Sequence, residues 1–262
     1  MPPTTRKPSG AAGWDAYANF YDWENAQTVR RRDVAFWQRL AAAQEGPVLE
    51  LGCGTGRIAV PVARAGARIV GIDRSDEMLT RARKRIARAR LGGRVTLVRG
   101  DIRDLPFRSR ARFSAVLAAY GILQSLTRER DLARTFESVA RVLRRGGLFA
   151  IDVVPDLPKW EEYRDRVSLK GRRGRKTTLT LVETVRQDRR RHLTIFDQEY
   201  RETSGGRRRT HRFSLTFRTL SVPQMTRRLE QAGFRVRAVL GDYQGGPWDA
   251  RADVWMILAS KK

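Results

Sequence analysis

Residues Val48 to Arg57 read Val-Leu-Glu-Leu-Gly-Cys-Gly-Thr-Gly-Arg, an apolar strand pattern running straight into a turn with glycine at 52, 54 and 56. Glycine on alternate positions removes Cβ, permits positive φ, and leaves backbone amides facing outward where the amphipathic run Ile58 to Ala65 begins. A strand that ends this way has cleared its side chains so that a ligand can touch backbone, which points to an α/β fold with its site at the strand ends. The spacing narrows the ligand. A dinucleotide fingerprint places its third glycine at the sixth position, but here that position is Arg57 and the glycine comes one residue early, so a pyrophosphate is disfavoured.

The next segments continue the series. Ala67 to Ile72 is a second apolar run, ending in Asp73, seventeen positions past Gly56. A carboxylate at the tip of the next parallel strand can accept both hydroxyls of a ribose. A third run, Arg94 to Arg99, ends in Gly100-Asp101-Ile102, an acid and an apolar residue suited to an adenine amino group and an adenine face. Phe113 to Ala119 reads as a fourth strand, Arg128 to Leu143 as a helix, and Arg144-Arg145-Gly146-Gly147 leads into a fifth strand, Leu148 to Val153. Taken singly, Asp73 also reads as a helix cap with Ser75, and Asp101 as a turn residue.

Over roughly residues 45 to 155 this ordered series resembles the class I S-adenosylmethionine-dependent methyltransferases. The resemblance implies an α/β fold, a seven-stranded, mostly parallel Rossmann-like sheet with helices on both faces. It implies that Gly52, Gly54 and Gly56 cradle the methionine part of S-adenosylmethionine, that Asp73 holds the ribose, and that Asp101 with Ile102 meets the adenine. Glu50, Cys53, Arg74, Met78 and Ala118 join the same cofactor set, and S-adenosylhomocysteine is the product. The fourth strand departs from the family pattern, with Phe113-Ser114 where an acid is usual. Cys53, the single cysteine, reads as a small buried side chain, since no histidine lies near it in sequence to activate a thiol.

Organisation follows from composition shifts and periodicity. Residues 1–13 are rich in proline, threonine and glycine and read as a disordered tail, neither signal peptide nor fold element. Residues 14–44 carry two helical patterns, the second through Val29, Val34, Phe36, Trp37 and Leu40, and form a helical cap; the resemblance implies that tyrosines of such a helix close over the donor's sulfonium, which makes Tyr17 and Tyr21 the candidates. The core spans 45–155. After the fifth strand the periodicity turns from helical to alternating: Thr177 to Val185, His192 to Tyr200 and Thr210 to Thr219 predict an antiparallel meander, a β-rich lid over 156–221. Residues 222–262 then supply the helix Pro223 to Ala232 and a last strand pair, Phe234 to Leu240 and Asp253 to Ala259, one of them antiparallel to the sheet.

Net charge is +25, and of the 53 basic residues only seven are lysines. Such a surplus predicts salt-dependent adhesion to polyanions, and the alternatives to methylation of a nitrogen or oxygen of a small acceptor are an RNA or DNA substrate and a non-catalytic binding protein on the same fold. Aromatics that would stack bases are sparse among the arginines, while a strand-rich lid suits a closed chamber for a small molecule. No apolar run reaches membrane-spanning length, and a lone cysteine accords with a reducing cytoplasm. A monomer or homodimer without a metal is expected, because His192 and His211 lack companion ligand spacing.

Methyl transfer from a sulfonium is an in-line displacement that asks the protein for alignment, and for a base only when the acceptor arrives protonated. Tyr120, Asp152, His192 and His211 are the candidate bases. Tyr120 and Gln124 after the fourth strand and Tyr243 after the sixth are candidates to line the acceptor. Glu183, Asp197 and Glu199 on the meander either pair with its arginines or recognise a cationic amine.

Overall fold

The computed structural model describes residues 11–28, 33–108, 113–153, 161–249, 251–252 and 254–262. In chain order its first elements are α1 (Ala11–Gln27), α2 (Val34–Ala42), β1 (Val48–Leu51), α3 (Ala59–Arg64), β2 (Ile69–Asp73), α4 (Asp76–Arg88), β3 (Val95–Arg99), β4 (Phe113–Ala118), α5 (Glu129–Val142) and β5 (Leu143–Val153). There follow β6 (Tyr163–Arg173), β7 (Thr177–Asp188), β8 (Leu193–Ser204), β9 (Arg207–Arg218), α6 (Val222–Gln231), β10 (Phe234–Leu240) and β11 (Trp255–Lys261). The chain divides into two compact units, one of Arg31–Asp156 with Leu220–Lys262, the other of Met1–Arg30 with Leu157–Thr219.

The first of these is a seven-stranded sheet in the order β3-β2-β1-β4-β5-β11-β10. β11 runs antiparallel to both β5 and β10, and the remaining neighbours pair in parallel. The central strands β1 and β4 are buried along their whole length, as parallel strands covered on both faces must be. Alternation along β4 feeds two cores. Val116 and Ala118 pack with Leu132, Phe136 and Val139 of α5 and Met225 and Leu229 of α6, while Ala115 and Leu117 pack with Trp37 of α2, Val62 of α3 and Ile86 of α4. Two serines start helices: the Ser75 hydroxyl accepts from the Met78 amide at 3.2 Å, and Ser221 forms a capping box with Gln224. Each such cap stabilises its helix by about 1 kcal/mol.

The second unit is a four-stranded antiparallel sheet, β6-β7-β8-β9, with α1 packed on one face. Period-two alternation puts Leu179, Leu181 and Val185 of β7 on that face, and all three are buried. Phe20 of α1 stacks on Tyr200 of β8 with ring centroids 4.4 Å apart, and Tyr17 meets Phe213 of β9 edge-on at 5.4 Å.

Three sequence expectations are revised. The helical cap is divided, since α1 belongs with the four-stranded sheet and α2 with the seven-stranded one. Helix α1 begins at Ala11, so the last three residues of the expected tail are helical, and the rest of that tail lies outside the described residues, as does Val29. The meander has a fourth strand, β6, which alternation could not reveal: it is an edge strand, mostly exposed and rich in charge, with only β7 to pair with. Smaller shifts affect the strands around the core. β5 already starts at Leu143 and carries the glycine pair within it, and β11 runs on to Lys261, with Asp253 outside the described residues.

Candidate active site

The turn after β1 has the left-handed backbone its glycines permit, with φ of 61°, 51° and 77° at Gly52, Gly54 and Gly56. A Cβ on Gly52 would stand 2.6 Å from the Ile122 side chain, whereas one on Gly56 would meet only ordinary contacts with Val60 of α3 and Ala82 of α4. Cys53 points inward instead. Its side chain fills the space over Gly71, where a Cβ would come within 2.8 Å of it, and burial pushes the thiol well above its ordinary pKa, so it is an inert packing group.

Asp73, the last residue of β2, reaches across to this turn. Its Oδ2 accepts from the Gly54 amide at 2.8 Å and its Oδ1 from the Ser75 amide at 2.9 Å. Burial raises its pKa, opposed by those two amides and by the charge of half-buried Arg74 next to it. Asp101, two residues past β3, is gripped by Arg103: the Arg103 amide and Nε donate to Oδ1, both at 2.9 Å, and Nη2 to Oδ2 at 2.6 Å. That hydrogen bonding holds the carboxyl below its usual range, and a further ligand amino group has to share these lone pairs with the guanidinium. Ile102 packs at the edge of the α5-side core, Met78 is buried in the first turn of α4, and Ala118 closes β4 fully buried.

Behind the glycine turn lies a carboxylate with an open oxygen. Glu50 on β1 is 3% exposed, and burial in this central strand pushes its pKa up to about 8 despite the nearby Arg57 charge and the Ala59 amide. Its Oε2 is buried with no donor among the described residues. Arg57 is itself committed to Asp33, contacting both carboxylate oxygens, and its guanidinium lies 5.0 Å from the centroid of the Tyr120 ring.

At the ends of β4 and β5 a second buried acid shapes the wall. Asp152 Oδ1 accepts from the Gly121 amide at 2.7 Å, and its Oδ2 accepts from the Tyr243 hydroxyl at 3.1 Å. Tyr120 and Gly121 both adopt positive φ, 60° and 61°, at a cost for Tyr120 and freely for the glycine, and the carboxylate secures the turn they make. Burial brings Asp152 up to about 6, and the same burial, with the charges of Asp152 and Asp33, drives the Tyr243 hydroxyl far upward. The Tyr120 ring is 41% exposed, whereas Gln124 is buried in the 3-10 turn Ile122–Ser125.

Glu50, the glycine turn, Asp73, Arg74, Met78, Asp101, Ile102, Ala118, Tyr120, Gln124, Asp152 and Tyr243 therefore all belong to the seven-stranded unit, at or just beyond strand ends. Tyr17, Tyr21, His192 and His211 belong to the other unit. Tyr17 is buried there with its hydroxyl donating to Glu24 at 2.5 Å, and the Tyr21 ring packs edge-on against it. His192 is exposed in the hairpin between β7 and β8 at φ 53°, and its carbonyl accepts from the Thr219 amide. His211 on β9 lies against Phe20 and 3.4 Å from Glu202. Sequence reasoning missed Asp33, whose role depends on a partner 24 residues away, and Glu24, which sits seven residues, two helical turns, beyond Tyr17. No group of three or more histidine, cysteine or acidic residues that could hold a metal is present among the described residues. No described helix is long and apolar enough to cross a membrane.

The cradle fits an adenosyl sulfonium donor. A buried orphan carboxylate oxygen at Glu50 calls for a cationic donor group, and the side-chain-free turn beside it admits a ligand to the backbone. Comparison with known proteins agrees. Residues 48–147 match the family described as "Methyltransferase domain". The chain is 28% identical over 215 residues to the cypemycin N-terminal methyltransferase of a Streptomyces species, covering 82% of this chain and 83% of that protein. It is 31% identical over 139 residues to dTDP-3-amino-3,4,6-trideoxy-alpha-D-glucopyranose N,N-dimethyltransferase of Streptomyces venezuelae, covering 53% of this chain and 55% of that one. Among solved structures, the CcbJ methyltransferase from Streptomyces caelestis superposes with a TM-score of 0.81 at 21% identity, covering 97% of this chain and 100% of that one. Residues 48–147 thus match a methyltransferase domain, and the seven-stranded unit has the fold of the class I, S-adenosylmethionine-dependent methyltransferases.

Proposed function

We propose that this enzyme transfers a methyl group from S-adenosylmethionine to a nitrogen of a small amine-bearing acceptor. The observation that carries the donor half is the open Oε2 of Glu50 beside a turn of three left-handed glycines. Support for nitrogen comes from the two relatives, one named for an N-terminal and one for an amino-sugar N,N-dimethyl transfer.

In this reading Glu50 takes the donor's ammonium, the backbone of Gly52 to Gly56 receives its methionine part, and Asp73 offers its remaining lone pairs to the ribose hydroxyls. Asp101 and Ile102 hold the adenine. The bound donor supplies an electrophilic methyl on a positively charged sulfur. The chain's own contribution is alignment. Asp152 spends both oxygens on the Gly121 amide and the Tyr243 hydroxyl, so we assign it the positioning of the Tyr120–Gly121 turn, with Tyr120, Gln124 and Tyr243 as acceptor wall. The four-stranded sheet with α1 is assigned to acceptor recognition.

Calorimetric titration with S-adenosylhomocysteine, followed by methyl transfer to a matched panel of amines, phenols and carboxylic acids, tests both halves. Binding of the product with turnover confined to amines is expected. Absence of product binding overturns the donor assignment, and turnover of phenols or acids alone overturns the choice of nitrogen.

A further inference from the structure

Within the four-stranded unit, two glutamates lie together without an arginine. Glu24 of α1 accepts from the Tyr17 hydroxyl at 2.5 Å and from the Tyr200 hydroxyl, both on Oε2. Glu183 of β7 accepts from the Tyr163 hydroxyl at 2.5 Å and from Ser168 Oγ at 3.2 Å, again both on Oε2. Gln198 of β8 bridges the pair: its Nε2 donates to Glu183 Oε1 at 3.0 Å and reaches Glu24 Oε1 at 3.4 Å.

The arrangement is unusual for this chain. Basic residues outnumber acidic ones 53 to 28, and three other acids of the same sheet are paired with arginines: Asp197 with Arg186, Glu199 with Arg201 and Arg212, and Glu202 with Arg173. Glu24 and Glu183 have only neutral donors among the described residues, and the Glu183 charge adds to burial in raising the Glu24 pKa. Two like charges brought together in a low-dielectric setting repel, a repulsion that one of them relieves by taking up a proton or that a bound cation removes.

Gln198 supplies an independent sign of a missing donor. Its side chain is 4% exposed, and because Nε2 faces two carboxylates the amide orientation is fixed, leaving Oε1 in the same cluster. That oxygen is buried and has no partner among the described residues. A buried acceptor left unpaired costs stability until a donor arrives.

The pattern of free oxygens selects the cation. Oε2 of each glutamate is already capped by hydroxyls, so neither carboxylate can present the two-oxygen face that a guanidinium matches. Oε1 of Glu24 and Oε1 of Glu183 each take one contact from Gln198 Nε2 and keep a further lone pair, and with the unpaired Oε1 of Gln198 they make three acceptors, for a group with three N–H donors and no acceptor of its own. We propose that Glu24, Glu183 and Gln198 form a binding site for a primary alkylammonium group of the acceptor. The assignment of that ammonium to the acceptor rests on the nitrogen-methylation reading above. The site itself does not.

The test is a titration of the full chain, without donor, with cyclohexylammonium chloride at fixed ionic strength, followed by near-ultraviolet circular dichroism of the surrounding tyrosines and by calorimetry. Saturable binding is expected for cyclohexylammonium, and none for cyclohexanol, which lacks the charge, or tetramethylammonium, which lacks N–H donors. Glu183→Gln should weaken it about tenfold or more. Because a buried variant can misfold, the ligand series on the unaltered protein is decisive by itself. No saturable response, an equal response to cyclohexanol, or displacement by potassium chloride, which would indicate an alkali-metal site, overturns the proposal. The two readings fail separately. Amine turnover whose KM is unmoved in a folded Glu183→Gln overturns this site but not nitrogen methylation, whereas saturable ammonium binding with turnover of phenols alone does the reverse.

Discussion

Arg57 and Asp33 are joined by two nitrogen–oxygen contacts, 2.8 and 2.7 Å, with the carboxylate fully buried and the guanidinium 15% exposed. The same guanidinium faces the Tyr120 ring, so one residue immediately after the glycine turn ties the start of α2 to the end of β4. Removing one partner of a buried pair strands the other charge. Asp33→Ala should therefore cost about 3–5 kcal/mol in urea unfolding, and Arg57→Lys, which loses the fork, should recover only part of an Arg57→Ala deficit. A change below about 1 kcal/mol in both would show the pair to be no more than a surface contact.

Glu50 makes donor binding a proton-release reaction. With its pKa pushed up to about 8 in the free protein, it is mostly protonated at pH 7, and pairing with an ammonium requires the charged form. Calorimetry at pH 7 in buffers of differing ionisation enthalpy should report net proton release on donor binding, and Glu50→Gln should abolish it and weaken binding. The stability consequence has a definite sign. A carboxyl raised from 4.5 in the unfolded chain to about 8 in the folded one binds more protons when folded, so stability falls as pH rises between those values. Glu50→Gln should flatten that slope.

Asp152 behaves alike over a lower window. Raised from 3.8 to about 6, it should lower stability as pH rises from 3.8 to about 6, a dependence that Asp152→Asn removes. Since the carboxamide of that variant has a single oxygen and cannot accept on both sides, the Tyr120–Gly121 turn should also lose order, which faster amide exchange at Gly121 would register.

Gly52→Ala tests the cradle sterically. The substitution meets both a φ of 61° and a Cβ position 2.6 Å from Ile122, for a combined cost of about 2–3 kcal/mol. Adding Ile122→Ala should return the steric part but not the backbone part, a partition that a double-mutant cycle measures. Full recovery would mean that the left-handed conformation carries no penalty there.

Asp73→Ala removes the acceptor of the Gly54 and Ser75 amides as well as the proposed ribose contact. Affinity for S-adenosylhomocysteine should fall by about 100-fold in calorimetry, whereas methylthioadenosine lacking both ribose hydroxyls should bind wild type and variant within about threefold of each other. Unchanged product affinity would count against the assignment.

The core was legible because its signals are local or repeat at each strand end. Glycines 52, 54 and 56, the acids at 73 and 101, and buried strands that read as unbroken apolar runs all lie within short windows. Together they carry the resemblance that implied the seven-stranded sheet with its single reversed member. What escaped reading depends on distance along the chain. Edge strand β6 has one neighbour and no apolar alternation, and Asp33 finds Arg57 only after α2 and β1 are in place. Glu24 looks like a solvent-facing helical acid until α1 lies on β8. Glu183, Asp197 and Glu199 looked equivalent on the meander, yet period-two alternation turns Glu183 toward α1 and the other two away, where arginines meet them.

The union of α1 with a sheet encoded more than a hundred residues later has a consequence for synthesis. As the ribosome proceeds, this helix emerges with its tyrosines and Phe20 exposed, and it must remain uncovered while most of the Rossmann-like strands are made. Its aromatic stripe thus waits for its partner strands through that interval, and fusing it directly ahead of β6 would shorten the wait.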